Sequence, residues 1–364
     1  MTATRQAETA TPADEPRRRA RTPRLGTTGI IYLALVGIVV LGALLVGLTG
    51  ESLLTGNNVI DMLTRTSVLG FIAIGQTFVV LCRSLDLSVG YVAALSSLVG
   101  ATTMDGDPDR LVPGIVAALL VAGGVGLVNG LVVTKLRVNP FIATLGMSLI
   151  IAGYLDTRYQ GPAGAVPDSF EAFGYTRIGV VPLSTAVLAV VAVAAAVFLR
   201  RTRTGYAMYA VGGNDEVARL SGIRTDRTLI VAHVLSAAAA GVAGLLLAAR
   251  FSTGVAAQIY SAGYELESIA AVVLGGTLLM GGRGGVAGTI AGVLILAVLD
   301  TVFRILEIDP FFRDVLRGVV IIVAVAVYAR RQIDRRGNLA RFGPGLRGPG
   351  AAEQSAAGPR EVRS

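Results

Sequence analysis

Residues 29–48 contain no charged side chain, and the run is about as long as a helix needs to be to cross a hydrocarbon core of ~30 Å. Comparable apolar stretches recur at 67–81, 89–101, 111–133, 141–154, 183–199, 228–249, 269–280, 286–303 and 318–328. A chain punctuated in this way has few folds open to it. Every backbone N–H and C=O that enters lipid must be bonded internally, and an apolar segment of helical length does that within itself. The composition agrees: 53% hydrophobic and 15% charged residues with a mean hydropathy of +0.67 are too apolar for a soluble chain of 364 residues. The expected fold is all-α, a polytopic bundle of about ten membrane segments. The 67–81 and 89–101 runs are each short for a span and flank the polar break CRSLDLS, so short or discontinuous helices are expected there.

Around this bundle, 1–25 and 332–364 lack apolar periodicity and read as disordered tails, leaving 26–331 as the membrane domain. The first run is longer than the apolar core of a signal peptide, and no small-x-small site precedes Glu51; it is expected to be a retained span. Of the 32 Lys and Arg, 24 fall in segments that share a side if the N-terminal tail is cytoplasmic. The positive-inside rule then puts both termini and the loop 200–227 in the cytoplasm, and 105–110 and 155–182 outside.

The net charge of +8 does not indicate nucleic acid, because the arginines are scattered between apolar runs with no basic, aromatic-studded face. One cysteine, Cys82, and one histidine, His233, exclude a disulfide framework, a local Cys/His metal cluster and an HExxH site. The glycine-rich 275–288 lacks a P-loop lysine; Gly284, Gly288 and Gly292 instead repeat every four residues, as in a close-packing helix face. Gly126 and Gly130 have the same spacing. No Ser/His/Asp or paired-acid pattern marks an enzyme.

Ionisable and capping groups inside the runs are the remaining candidates for chemistry. Asp86 or Ser88 is placed to cap the helix at 89. His233 lies near a span end, from which it can reach headgroups or water. Asp86, Glu267 and Asp300 are the carboxylates an ion-coupled carrier would have to use. A permease driven by a separate ATPase needs a cytoplasmic docking surface instead, and the loop 200–227 offers one. Gly213 and Asn214 break the chain there, Asn214 or Asp215 can cap a two-turn helix ending near Ser221, and Gly222 stands where a left-handed stop belongs. Val217 and Leu220 share a face, and Asp215 and Arg219 are spaced to pair. So short a helix does not persist alone in water and must dock on something.

Four segments, SLDLSVG (84–90), NPFIATLGM (139–147), TGYAMYAVGGNDEVARLSGI (204–223) and GYELESIAAVVLGGTLLMGGRGGVAGT (263–289), resemble the inner-membrane permease subunits of ribose-type ABC sugar importers, in the same order. The resemblance implies a non-enzymatic permease that pairs with a second copy, receives a monosaccharide from an extracytoplasmic binding protein, and holds no cofactor because a cytoplasmic subunit binds the ATP. It places Gly213, Asn214, Asp215, Glu216, Val217, Ala218, Arg219, Leu220, Ser221 and Gly222 at the ATPase contact. Asp86, Ser88, Asn139 and Glu267 are the expected path residues. Branched-chain amino acid permeases share the architecture and are the alternative, ahead of an ion-coupled carrier.

Overall fold

The computed structural model describes residues 27–309 and part of 311–322. The tails and most of the run 318–328 lie outside the described residues. Among the described residues, seven helices are long and apolar enough to cross a membrane. Six of them are α1 (Thr27–Gly47), α2 (Gly56–Leu81), α5 (Pro140–Arg158), α7 (Leu183–Arg201), α10 (Thr225–Phe251) and α13 (Val286–Ile305). The seventh, α4 (Leu111–Lys135), follows a 3-10 turn at Pro108–Arg110. Shorter helices fill the connections: α3 (Val89–Met104), α6 (Asp168–Tyr175), α8 (Arg203–Gly213), α9 (Asp215–Leu220), α11 (Ala257–Tyr260) and α12 (Tyr264–Leu274). The chain is a polytopic helical membrane protein, with one small hairpin in which β1 (Arg177–Ile178) pairs antiparallel with β2 (Val181–Pro182).

Helix α10 is the axis of the bundle, packed against α2, α3 and α4. Small residues set these contacts, since lipid tails are as apolar as leucine and only close van der Waals fit favours helix on helix. A Cβ on Gly126 would stand 2.5 Å from the His233 carbonyl oxygen, and one on Gly130 would stand 2.7 Å from Ile230 Cα. The GxxxG spacing is therefore the α4–α10 seam. Helices α4, α5 and α7 turn most of their apolar surface outward, with Leu120, Leu149, Ile150 and Val190 exposed, as lipid-facing spans do.

Several sequence expectations shift. The 67–81 run is only the apolar end of α2, a full span of 26 residues that starts at Gly56 under a Thr55 cap. Asn57, Asn58, Asp61 and Arg65 hid its first half from a hydropathy reading. Helix α3, at 16 residues, is the truly short member, and it is almost wholly buried. The loop 200–227 carries an extra helix, α8, and the loop 155–182 carries α6 and the hairpin. The run at 269–280 ends early, at Leu274. Of the three spaced glycines only Gly288 and Gly292 lie on α13, facing the Gly275 and Ala271 carbonyls; Gly284 sits in the preceding turn with φ +137°.

A capped surface helix, a buried polar node and their family

Helix α9 is built by its own termini. The Asn214 side chain accepts from the Val217 N–H at 3.1 Å, so Asn214 both ends α8 and caps α9. At the other end Gly222 has φ +83°, its N–H donates to the Arg219 carbonyl, and the Ile223 N–H donates to that of Ala218. This is the paired 5→2 and 6→1 closure of a Schellman motif, which requires the left-handed residue that glycine supplies. Arg219 reaches the Asp215 carboxylate at 2.9 Å and also donates to Thr225 Oγ1, tying α9 to the first turn of α10. Ala218 is buried against the body of the protein, whereas Val217 is 56% and Leu220 83% exposed. The apolar pair thus points away from the body of the protein, which leaves a two-turn knob that none of the described residues covers.

Below it, α8 is anchored on the membrane bundle. A Cβ on Gly212 would stand 1.8 Å from the Leu81 carbonyl oxygen, and the Gly282 N–H donates to that same oxygen at 3.0 Å. The Tyr209 hydroxyl donates to the Gly284 carbonyl, and burial pushes its phenol above the usual range. The end of α8, the end of α2 and the glycine-rich turn after α12 therefore meet in backbone-to-backbone contact, which only glycines permit.

The break between α2 and α3 is a buried polar node. Ser88 occupies the cap position of α3 but makes no side-chain cap bond; the Asp86 carboxylate instead accepts from both the Ser88 N–H, at 3.0 Å, and the Ser88 hydroxyl, at 2.6 Å. Asn129 of α4 donates to Ser88 Oγ, and His233 of α10 lies with Nε2 3.1 Å from Ser84 Oγ and Nδ1 3.9 Å from Asp86 Oδ2. Asp86, Ser88 and His233 have no exposed surface. The expectation that His233 reaches headgroups or water is overturned: close packing of Gly126 on the His233 carbonyl seals it inside. Buried polar groups need partners, and this set pins three elements around an unwound turn. Nothing in the sequence pairs Ser84 with His233 or Asn129 with Ser88, since only tertiary contact makes them partners.

Of the expected path residues, then, Asp86 and Ser88 are brought together, but inside the packed bundle. Asn139 is exposed and caps α5 through the Phe141 N–H. Glu267 is half-buried in the first turn of α12. Among the described residues no group of three or more His, Cys, Asp or Glu could hold a metal ion.

Comparison with known proteins places this architecture. Residues 58–325 match the family described as the branched-chain amino acid transport system / permease component. The chain is 37% identical over 304 residues to the ribose import permease protein RbsC of Escherichia coli (strain K12), covering 82% of this chain and 94% of the relative. It is 33% identical over 298 residues to the galactose/methyl galactoside import permease protein MglC of Haemophilus influenzae, covering 76% and 88%. To the L-arabinose ABC transporter permease protein AraH of Azospirillum brasilense it is 32% identical over 315 residues, covering 86% and 90%. No solved structure matches the chain. A match through nearly the whole membrane domain, together with relatives aligned over most of their length, identifies the chain as a member of the permease-component family of these transport systems.

Proposed function

We propose that this chain is the membrane permease of an ABC importer for a monosaccharide, driven by a cytoplasmic ATPase that grips α9 and supplied by an extracytoplasmic binding protein. The observation that carries the reading is the uncovered Val217–Leu220 pair on a helix capped at both ends. A rigid apolar knob of this size fits a groove on a partner, and small contacts of this kind concentrate their energy in a few anchors. The relatives are named for ribose, galactose and arabinose, which favours a sugar over the branched-chain amino acid of the family description. A second copy of the chain completes the path. The arginine distribution puts α9 and both termini in the cytoplasm, with α6 and the β1–β2 hairpin on the face that receives the binding protein.

The test is reconstitution of the permease with the ATPase and binding protein encoded beside it, followed by uptake of labelled D-ribose, D-galactose, L-arabinose and L-leucine. ATP-dependent uptake of a sugar is expected, together with loss of ATPase co-purification in Leu220→Asp. Uptake of leucine alone would transfer the assignment to the amino acid class, and an unimpaired Leu220→Asp would remove α9 from the contact.

A further inference from the structure

Two connections, the unwound 82–88 before α3 and 252–263, which carries the single-turn α11, before α12, bring the first turns of α3 and α12 side by side within the bundle. A Cβ on Gly90 would stand 2.6 Å from Glu265 Oε2, so glycine at 90 is what lets the carboxylate lie over the first turn of α3. That is the end of a helix where negative charge is favoured. The next residue, Tyr91, stacks on Tyr260 of α11 with ring centroids 5.4 Å apart and planes 7° from parallel. The Tyr260 hydroxyl donates to Asp156 Oδ1 on α5. Four elements thus converge on one aromatic pair. Both rings are only partly covered, and Asp156 is exposed.

Their depth matters. Tyr91 lies about 20 Å along α3 from Met104 at the helical rise, well inside a hydrocarbon layer of about 30 Å. Phenols at such depth face protein or water, because lipid cannot satisfy them. Asp156 stands two residues from the end of α5, in the segment that the arginine distribution assigns to the outer side, so the open face runs from rings inside the layer to a carboxylate at its outer edge, as a polar path would. The charged groups acting on the two phenols are Asp156 and Glu265, both acidic. An occupant that donates hydrogen bonds is held there. Glu265 Oε2 accepts no hydrogen bond and leaves a further acceptor beside the pair.

Resting on the permease reading above, we propose that Tyr91, Tyr260 and Asp156 form a carbohydrate subsite in the translocation path, with the C–H face of a sugar ring on the open tyrosine face and its hydroxyls donating to the Asp156 carboxylate. The design matches sugar chemistry: a ring with an apolar face and a polar rim meets an aromatic body and a charged acceptor, and hydrogen bonds to an ionised acceptor are the strong ones. Aromatic rings beside a carboxylate are also how an organic ammonium is held, and the test distinguishes the two.

The full permease, reconstituted with its ATPase and binding protein, is assayed with labelled D-ribose, D-galactose and L-arabinose as Tyr91→Ala, Tyr260→Phe and Asp156→Asn variants. Tyr91→Ala is expected to lower sugar flux at least tenfold. Tyr260→Phe keeps the stack but frees Asp156, and Asp156→Asn exchanges its charge; both are expected to change the ratio of rates among the three sugars severalfold. Melting temperature and ATPase co-purification should hold. Flux within twofold of wild type with unchanged ratios in all three variants overturns the subsite. So does an equal loss for every sugar that tracks a fallen melting temperature, since that is a structural role. Inhibition of wild-type flux by choline, abolished in Asp156→Asn, would reassign the face to a cation. A wild-type protein that moves none of the three sugars fails the importer reading itself, and the subsite with it.

Discussion

Gly212 and Leu81 touch through their backbones: a Cβ on residue 212 would lie 1.8 Å from the Leu81 carbonyl oxygen, well inside any tolerable contact. Gly213 and Asn214 follow, so this contact ties the α8 side of the α9 knob to α2, alongside the Arg219–Thr225 bond that ties α9 itself to α10. Gly212→Ala has to push α8 away from α2 or break the Gly282 bond to the same carbonyl, at an overpacking cost of about 1–3 kcal/mol. The expected outcome is retained ATPase co-purification with uptake reduced at least tenfold. Wild-type uptake at an unchanged melting temperature would show that the joint tolerates slack.

The caps of α9 give a graded prediction. Asn214→Ala removes the acceptor for the Val217 N–H, worth about 1 kcal/mol, or roughly fivefold in affinity. Gly222→Val puts a β-branched residue at φ +83°, where it is strained. ATPase affinity is expected to fall about fivefold in the first variant and further in the second, as read by titration of purified subunits. Equal affinities for both variants and wild type would mean that the helix needs no preformed ends.

The Asp86 node is expected to act as a unit. Asp86→Ala strands the buried Ser88 N–H and hydroxyl, and a buried donor left unsatisfied costs about 1–3 kcal/mol. His233→Ala should cost less when Asp86 is already gone, since residues in one network are not additive. Thermal unfolding of the two single variants and the double variant in detergent checks this; strictly additive shifts would dissolve the node into independent contacts.

Two glycines on lengthy helices should behave oppositely. A Cβ on Gly244 would stand 2.1 Å from the Ala93 carbonyl oxygen, while one on Gly123 meets nothing within 4 Å. Gly244→Ala is expected to destabilise by more than about 1 kcal/mol. Gly123→Ala should be neutral or slightly stabilising, alanine being about 1 kcal/mol the better helix former. Melting temperatures that move together would contradict the α3–α10 packing.

Orientation can be read by labelling, because Cys82 is buried and gives little background. Gly161→Cys introduces a thiol in open space, whereas Gly164 faces the Ala101 backbone and tolerates none. An impermeant maleimide is expected to label Gly161→Cys on intact cells and Leu220→Cys only after permeabilisation. The reverse pattern would invert the topology.

Sequence alone determined the membrane class, because helical hydrogen bonding within an apolar run is a local property. It also determined α9, whose Asn214 cap, Asp215–Arg219 spacing and Gly222 stop all act within one short segment, and the Gly126/Gly130 seam, whose spacing is the contact. It did not disclose the full length of α2, since Asn57, Asp61 and Arg65, which stay exposed, break the apolar pattern over its first half. Nor did it disclose α8 or the Gly212–Leu81–Gly282 joint. Tertiary structure decided that His233 is sealed beside Asp86 instead of reaching water, that Asp86 and Ser88 bond each other inside a helix break, and that Tyr260 meets both Tyr91 and Asp156. The reason is common to all of these: hydrogen-bond partners and close approaches between residues far apart in the chain depend on how helices cross, and in lipid that is chosen by the summed fit of small residues along every seam, which no single segment carries.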